Sequence, residues 1–308
     1  MHNPLVSVII PAYKSEEFIL ETLNSVKSQT YTNWEIIVVD DCSKDQTEEI
    51  VKNFAQTVNN NVTYIAHNIN QGVSVARNNA VKASKAEILA FLDSDDIWLE
   101  HHLEDSIKQL ELSQADLVHS GFQIFNSKTG KKLFICEPTS EELANFPDSF
   151  FTRCYVGSFT VVMRKNVFEK VGGFDPILRS TQDYDLWLRI VAEGYKVVYI
   201  PGIQALYRRN AHLSLSHNFT RLLQWHCLVL RKNAHLQMFS PQIKGDTISE
   251  YHIAVFRRLW SSDMQKALQF LLWSFWLAPQ NSIVKFMDRI IYHKPGRLDV
   301  DMMDVFDD

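Results

Sequence analysis

Short apolar runs alternate with amphipathic stretches along the first hundred residues. Four such runs lie at 6–10, 34–39, 62–66 and 87–92, and the first three are rich in β-branched side chains. Their length and composition predict buried strands. Between the first two runs, Ile19, Leu23 and Val26 have the spacing of one helix face, which is typical of an amphipathic helix. Regular strand–helix alternation predicts a parallel sheet with helices on both faces.

Polar residues and turn formers predict where these elements end. The first strand is expected to stop at Pro11, and Ser15 is expected to cap the following helix. Residues 72–84 have the pattern of a third helix. Further along, 117–125, 159–163, 196–201 and 205–208 are predicted strands, and the chain becomes helical from about Asn218.

Three polar motifs follow predicted strands: Pro11-Ala12-Tyr13, Asp40-Asp41 and Asp93-Ser94-Asp95-Asp96. Ligands of parallel α/β sheets bind at the carboxyl ends of the strands. Carboxylates at the end of an apolar strand are costly to bury without a positive charge. A divalent cation shared with phosphate oxygens would supply that charge. The alternative is a solvated acidic turn in which Asp96 caps the next helix.

The order of these motifs resembles a family-2 glycosyltransferase of the GT-A fold. The matching segments are 6–13, 35–45, 71–78, 92–96, and 172–175 followed by 182–189. The resemblance covers residues 5–216. It implies an α/β fold of the GT-A type, with a doubly wound, mostly parallel sheet, an acceptor-binding half and a helical C-terminal extension.

The expected domain boundaries follow from this resemblance. Residues 1–217 would form the glycosyltransferase domain, with a nucleotide-binding half at 1–99 and an acceptor half at 100–217. Residues 218–308 would form the helical extension. The expected activity is transfer, with inversion, from a nucleotide-diphosphate sugar, UDP-sugar favoured, to a hydroxyl of a glycan or lipid-linked acceptor. Such a reaction belongs to polysaccharide biosynthesis at the cell envelope.

The resemblance also implies the donor-binding residues. Tyr13 would stack on the base, Asp40 would accept a hydrogen bond from it, and Arg77 would reach the base or a phosphate. Pro11 belongs to the same motif as Tyr13. Each residue has a plainer alternative: Tyr13 as a packing aromatic, Asp40 as a turn residue, and Arg77 on a solvated helix face.

The same comparison assigns the diphosphate site. Asp95 would bind Mn²⁺ or Mg²⁺, and Asp93 would bind the ribose hydroxyls, with Ser94 between them. Arg208 is a candidate for neutralising the diphosphate. Relatives often carry His where this chain has Asn210, so a third metal ligand from that loop is in doubt, and His212 is a possible substitute.

Asp183 is the expected general base that deprotonates the acceptor hydroxyl. Relatives usually have Glu before this Asp, whereas this chain has Gln182. A neutral neighbour leaves Asp183 more acidic than a second carboxylate would, since like charge raises a pKa. Ser180 and Asp183 also have capping-box spacing, which would make Asp183 a structural helix-start residue. Asp185, about 200° around the helix from Asp183, is the second candidate base.

Composition limits the binding partners and the cellular compartment that we expect for the protein. The chain has 308 residues and a formal net charge of −5, which disfavours a nucleic-acid partner. Four widely spaced cysteines without a CxxC motif predict reduced thiols in a cytoplasmic protein. No signal peptide is evident, and no apolar run approaches the ~20 residues that span a bilayer.

The C-terminal part combines basic and aromatic residues. Residues 251–297 carry seven Lys or Arg and two Asp, and residues 267–278 are strongly apolar. Three arrangements are open: a helix packed on the catalytic domain, peripheral contact with the inner face of the membrane, or a homodimer contact.

Three other functions are weighed against this one. A sugar nucleotidyltransferase would need a Gly-rich phosphate loop after the first strand, and Pro11-Ala12-Tyr13-Lys14-Ser15 is not one. A dinucleotide-dependent dehydrogenase fails on the same segment, because it lacks GxGxxG. A catalytically inactive nucleotide-sugar-binding module is the other rival, and the presence of both Asp95 and Asp183 argues against it.

Overall fold

The computed structural model describes residues 3–209, 219–260 and 263–277. Two compact units share these residues. The first unit contains Met1–Thr139 and Tyr155–Asn210, and the second contains Ser140–Cys154 and Ala211–Asp308. The predicted domain boundary at 217/218 lies outside the described residues.

The elements alternate in chain order through the first unit. The strands are β1 Val6–Ala12, β2 Trp34–Asp40, β3 Val62–Ala66, β4 Ile88–Phe91, β5 Ile97–Trp98, β6 Leu117–Asn126, β7 Lys132–Cys136, β8 Val162–Arg164 and β9 Val197–Arg209. The helices of the whole described chain are α1 Ile19–Lys27, α2 Thr47–Ala55, α3 Val73–Ala83, α4 His102–Leu112, α5 Ser140–Ala144, α6 Asp148–Thr152, α7 Lys165–Lys170, α8 Gln182–Ala192, α9 Phe219–Lys232, α10 Pro241–Leu259 and α11 Met264–Leu277.

One sheet holds the first unit together, in the order β3-β2-β1-β4-β8-β6-β9-β5, with β7 paired to β6. Strands β1 to β4 are mutually parallel, as the strand–helix alternation predicts. Strand β8 is antiparallel to β4 and β6, and β6 is parallel to β9. The carboxyl ends of β1, β2 and β4 therefore lie along one edge, where the acidic motifs follow.

The core explains why the central strands are continuous apolar runs. Every residue of β1, β2 and β4 is buried, because helices cover both faces of a parallel sheet. Helix α1 contributes Ile19, Leu23 and Val26 to the same core, which is the face that its spacing predicts.

Several local predictions were wrong. Strand β1 continues through Pro11 to Ala12. The pairing of β1 with β4 ends at Ile9, so the N–H that proline lacks is not needed by that neighbour. Helix α1 begins at Ile19 rather than after Ser15, and Phe18 stands at its cap position without a side-chain cap.

The third error concerns Asp96. The residues after it form the short strand β5 rather than a helix, and α4 begins only at His102. Elsewhere, the predicted strand at 159–163 is a 3₁₀ turn at Ser158–Thr160 followed by β8. The two strands predicted between 196 and 208 are one strand, β9, whose pairing with β6 shifts near Gly121.

The second unit is helical. Helix α10 packs against α6, α9 and α11. Its N-terminal side meets α6, where the Ser240 backbone N–H donates to Asp148 Oδ1 at 2.7 Å and the rings of Phe151 and Phe239 lie 5.0 Å apart. Segment 140–154 therefore belongs with the C-terminal helices in packing. None of the helices in the described ranges combines the length and hydropathy that a membrane crossing requires.

Candidate active site

The turn after β4 carries the acidic motif, and side-chain hydroxyl groups from the region of α1 hold it in place. Ser94 and Ser15 hydroxyls lie 2.7 Å apart. The Thr22 hydroxyl lies 3.0 Å from the Ser94 carbonyl oxygen and 2.8 Å from that of Asp96. These contacts tie the turn to the start of α1, so Ser15 serves the acidic turn and not the helix cap. No sequence signal singled out Thr22.

Arg77 is the positive counterpart of this turn. Its side chain lies on α3, is 2% exposed, and donates from Nη2 to Asp93 Oδ1. The same nitrogen lies 3.1 Å from the Ser158 hydroxyl, which donates to Asp93 Oδ2 at 3.3 Å. Nε and Nη1 of Arg77 are buried and have no partner among the described residues. The site thus holds a buried guanidinium that lies over the Phe174 ring and has two nitrogen atoms without a hydrogen-bond partner among the described residues.

Negative charge is in excess around the turn. Burial, followed by the charge of Asp93, raises the pKa of Asp95 to about 6. Burial, followed by the charge of Asp95, raises the pKa of Asp96. Oδ2 of Asp96 is buried without a partner among the described residues. Close carboxylates of this kind favour a bound cation, and their hard oxygen atoms suit Mg²⁺ or Mn²⁺.

The described residues contain no cluster of three or more His, Cys, Asp or Glu arranged to hold a metal ion. A single carboxylate such as Asp95, with ligand phosphates filling other positions, still fits such an ion. Asn210 and His212, which bear on the third ligand, lie outside the described residues.

Arg208 lies against the acidic turn but is already engaged. Its backbone N–H donates to Asp96 Oδ1 at 2.9 Å, and its Nε donates to the Asp95 carbonyl oxygen at 2.8 Å. Nη2 binds the Glu21 carboxylate, and the guanidinium stacks over Phe18 at 4.5 Å. Arg208 is 5% exposed, so its contacts hold the turn in place.

Asp183 is the second residue of α8 and is half-buried. Its Oδ1 accepts a hydrogen bond from the Tyr184 backbone N–H at 2.9 Å. Burial raises its pKa, while the positive charge of Arg77 opposes the rise. No side chain caps α8, whose cap residue Thr181 has a φ of 55°. The capping box between Ser180 and Asp183 is therefore not formed.

Asp185 has a different environment. It is fully buried and pairs with Arg189 at 2.9 Å, one helical turn along α8. Arg189 also donates to the carbonyl oxygens of Val171 and Gly173. Asp185 therefore anchors α8 to the turn that contains Gly172 and Gly173.

The residues predicted to bind the base lie at the ends of β1 and β2. Pro11 is buried within β1, and Tyr13 is 47% exposed with the Lys14 ammonium 5.3 Å from its ring centre. Asp40 is 2% exposed, and its two oxygens accept from the Ser43 N–H and the Tyr64 hydroxyl, each at 2.7 Å. In the structure, Asp40 thus makes two internal hydrogen bonds.

Asp41 is a structural residue of the site that sequence reasoning did not single out. Its carboxylate accepts from the N–H groups of Gln71 at 2.8 Å and Gly72 at 2.7 Å, and His67 Nδ1 lies 2.8 Å away. These bonds fix the start of α3, five residues before Arg77. The available signal was the second Asp of the Asp40-Asp41 pair.

Comparison with known proteins establishes the class of enzyme. The sequence profile of glycosyl transferase family 2 matches residues 7–172. The chain belongs to this family and is a glycosyltransferase. It is similar to WfgD of Escherichia coli, named UDP-Glc:alpha-D-GlcNAc-diphosphoundecaprenol beta-1,3-glucosyltransferase. The two are 30% identical over 232 residues, which are 74% of this chain and 87% of WfgD.

Solved structures support the fold. The mannosyltransferase PcManGT from Pyrobaculum calidifontis, solved with GDP-Man and Mn²⁺, has a TM-score of 0.66 and 20% identity, covering 99% of this chain and 85% of its own. TarS 1–349 from S. aureus, solved with UDP-GlcNAc, has a TM-score of 0.61 and 20% identity, covering 82% and 72%. The predicted GT-A fold with a helical C-terminal part is confirmed.

Proposed function

We propose that this chain transfers a sugar, with inversion, from a nucleotide-diphosphate sugar to a hydroxyl of a glycan or lipid-linked acceptor. A UDP-sugar is the favoured donor. WfgD is named for a UDP-sugar donor and a diphosphoundecaprenol-linked acceptor, and TarS was solved with UDP-GlcNAc. Because PcManGT was solved with GDP-Man, a GDP-sugar is the second candidate donor.

The buried guanidinium of Arg77 is the observation that carries the proposal. Two of its nitrogen atoms are buried and have no hydrogen-bond partner in the part of the chain that the structure describes, while a third binds Asp93 and its charge acts on Asp95. An unpaired buried donor is costly, and a phosphate oxygen would satisfy it with a charge-assisted hydrogen bond. A diphosphate can meet Arg77 and a cation on Asp95 at once.

Each residue then has a defined task. Arg77 and Asp93 orient the donor, and Ser94 holds the shape of the turn. Arg208 fixes the Asp95 backbone. A divalent cation on Asp95 would neutralise the leaving diphosphate when bound.

Asp183 accepts the proton of the acceptor hydroxyl as that oxygen attacks the anomeric carbon. Its raised pKa moves it toward the range in which a carboxylate is an effective base. Because the attacking hydroxyl and the leaving diphosphate lie on opposite faces of the sugar, one displacement inverts the anomeric centre.

Calorimetry of UDP binding with and without Mn²⁺ tests the donor site. Wild-type protein should bind UDP more tightly with Mn²⁺, and Asp95→Asn should remove that metal dependence. Arg77→Gln should weaken UDP binding under both conditions. Equal UDP affinity with and without Mn²⁺ in the wild type would contradict the role of Asp95.

Turnover separates an enzyme from an inactive binding module. Wild-type protein with Mn²⁺ and a UDP-sugar should release UDP slowly by hydrolysis, even without an acceptor. UDP binding without any release across UDP-, GDP- and dTDP-sugars would favour the inactive module. A thermal-shift panel of the same donors identifies the nucleotide, because the tightest ligand raises the melting temperature most.

A further inference from the structure

Helix α11 has an exposed apolar side in addition to its packed side. On the packed side, the Ser274 hydroxyl lies 2.7 Å from the Ser249 hydroxyl of α10, and Phe270 contacts His252. The other side carries Leu268, Leu272, Trp273 and Trp276, which are 41%, 67%, 39% and 81% exposed. We name these four residues the α11 face. Large apolar side chains clustered at such exposure are typical of an interaction surface.

Helix α9 lies beside α11 and adds positive charge to this surface. Lys266 Nζ reaches Gln224 Oε1 at 3.5 Å, and the Arg231 guanidinium lies 3.9 Å from the Trp273 ring centre. The second contact is seven residues further along both helices, so α9 and α11 run side by side in the same direction. Arg231 therefore stands at the border of the α11 face.

A cavity of about 480 Å³ opens where the two helices meet. Its lining is Arg231, Leu272, Trp273 and Trp276. One cation next to three large apolar side chains matches a molecule with an anionic head and an apolar tail. Tryptophan rings prefer the headgroup level of a bilayer, and arginine there binds lipid phosphate while its stem stays on apolar surface.

Charge favours an anionic bilayer over a second copy of this chain. Helices α9 and α11 carry four basic side chains, Arg221, Arg231, Lys232 and Lys266, and no acidic one. Two such surfaces facing each other would place like charges together. An anionic lipid surface attracts the same charges.

We propose that the α11 face docks on an anionic lipid bilayer, with its Leu and Trp side chains in the interface and Arg231 on a lipid phosphate. The donor chemistry plays no part in this inference. Binding to vesicles and binding to UDP can therefore fail independently.

Co-sedimentation of the full chain with vesicles tests the proposal. Wild-type protein should bind vesicles that mix phosphatidylcholine with phosphatidylglycerol, bind pure phosphatidylcholine less, and release with added salt. The double variant Leu272→Ser, Trp276→Ser should lose at least about tenfold in affinity. Arg231→Gln should reduce the preference for phosphatidylglycerol. Leu112→Ser, at a 73% exposed position on α4, is the matched control and should bind as wild type does.

A second measurement needs no variant. Brominated phosphatidylglycerol should quench part of the wild-type tryptophan fluorescence. Absence of quenching, or a double variant that binds as tightly as the Leu112→Ser control, would overturn the proposal. A dimer in light scattering that the double variant dissociates, without vesicle binding by the wild type, would assign the α11 face to a second copy instead.

Discussion

Asp183 and Asp185 lie two positions apart on α8 and have opposite surroundings. Asp183 is half-buried near Arg77, and its Oδ1 accepts a hydrogen bond from the Tyr184 backbone N–H in the same turn of helix. Asp185 is fully buried against Arg189. The sequence offered both as candidate bases, and the difference in environment makes them a matched pair for experiment.

Asp183→Asn should lower turnover by about 10²–10⁴-fold, because the amide cannot accept the acceptor proton. Donor affinity and melting temperature should change little, since the Asn side-chain oxygen can still accept the hydrogen bond from the Tyr184 backbone N–H. Steady-state kinetics, UDP calorimetry and thermal melting check the three expectations.

Asp185→Asn is the control and should behave differently. It weakens the buried ion pair with Arg189, so stability should fall by roughly 1–3 kcal/mol while turnover of the folded protein is largely kept. If Asp183→Asn instead lowers the melting temperature and leaves turnover intact, Asp183 is a structural helix-start residue.

The pH dependence of kcat/KM gives a second test of Asp183. Burial raises its pKa, so the base form is lost at a higher pH than for an ordinary Asp. With saturating Mn²⁺, kcat/KM should fall as pH drops through this raised pKa. Gln182→Glu adds a carboxylate beside Asp183 and should move the acid limb to higher pH. If the acid limb of kcat/KM does not move in Gln182→Glu, the group that titrates there is not Asp183.

At the scale of elements, α4 begins with a buried histidine. The His102 ring is fully buried, 4.5 Å from the Trp98 ring, and neither ring nitrogen has a partner among the described residues. Burial lowers its pKa to about 3. In the unfolded chain its pKa would be about 6.5.

This difference predicts a pH-dependent stability. Between about pH 6.5 and 3 the unfolded chain binds a proton that the folded chain does not, so the free energy of unfolding falls as pH drops through that window. His102→Phe removes the effect and keeps the aromatic contact with Trp98. Its stability gain over wild type should be larger at pH 5 than at pH 8 by roughly 2 kcal/mol.

Denaturant titrations at the two pH values measure this difference. His101→Gln is the neighbouring control, because the His101 ring is exposed and contacts Glu104. It should not produce such a gain at pH 5. Equal stability gains for His102→Phe at both pH values would show that His102 is not held neutral.

At the scale of the whole molecule, segment 140–154 interrupts the first unit and packs with the C-terminal helices. Phe150 and Phe151 of α6 are buried, and the Phe151 ring contacts the Phe239 ring in a tilted arrangement. Removing everything after Asn218 would expose these rings, because α10 and Phe239 would be gone.

A chain truncated after Asn218 should therefore be less soluble and melt at a lower temperature than the full chain. A second truncated chain, with 140–154 also replaced by a short Gly-Ser linker, should recover part of the solubility. Thermal melting and sedimentation compare the two. Equal solubility would mean that the exposed α6 surface is not the cause.

Patterns within single segments predicted much of the first unit. The four apolar runs form β1 to β4, and the periodic stretch after Tyr13 forms α1. Both were predictable because the apolar positions within a segment show which strand or helix face is buried. Element ends were less predictable. Pro11 is tolerated within β1 because the pairing with β4 ends at Ile9, and Asp96 precedes a strand because Ile97 and Trp98 pair with β9.

The sequence by itself determined the parallel arrangement of β1 to β4, the family and the positions of the acidic and basic motifs, because each depends on local order and spacing. Only the tertiary structure decided which charges meet. Arg77 and Asp93 are 16 residues apart and Ser158 lies 65 beyond Asp93, yet all three share one hydrogen-bonded group. The packing of 140–154 with α10 could likewise not be predicted from the sequence of either segment alone. Contacts of this kind depend on how strands and helices are brought together, since no local pattern specifies a partner distant in sequence.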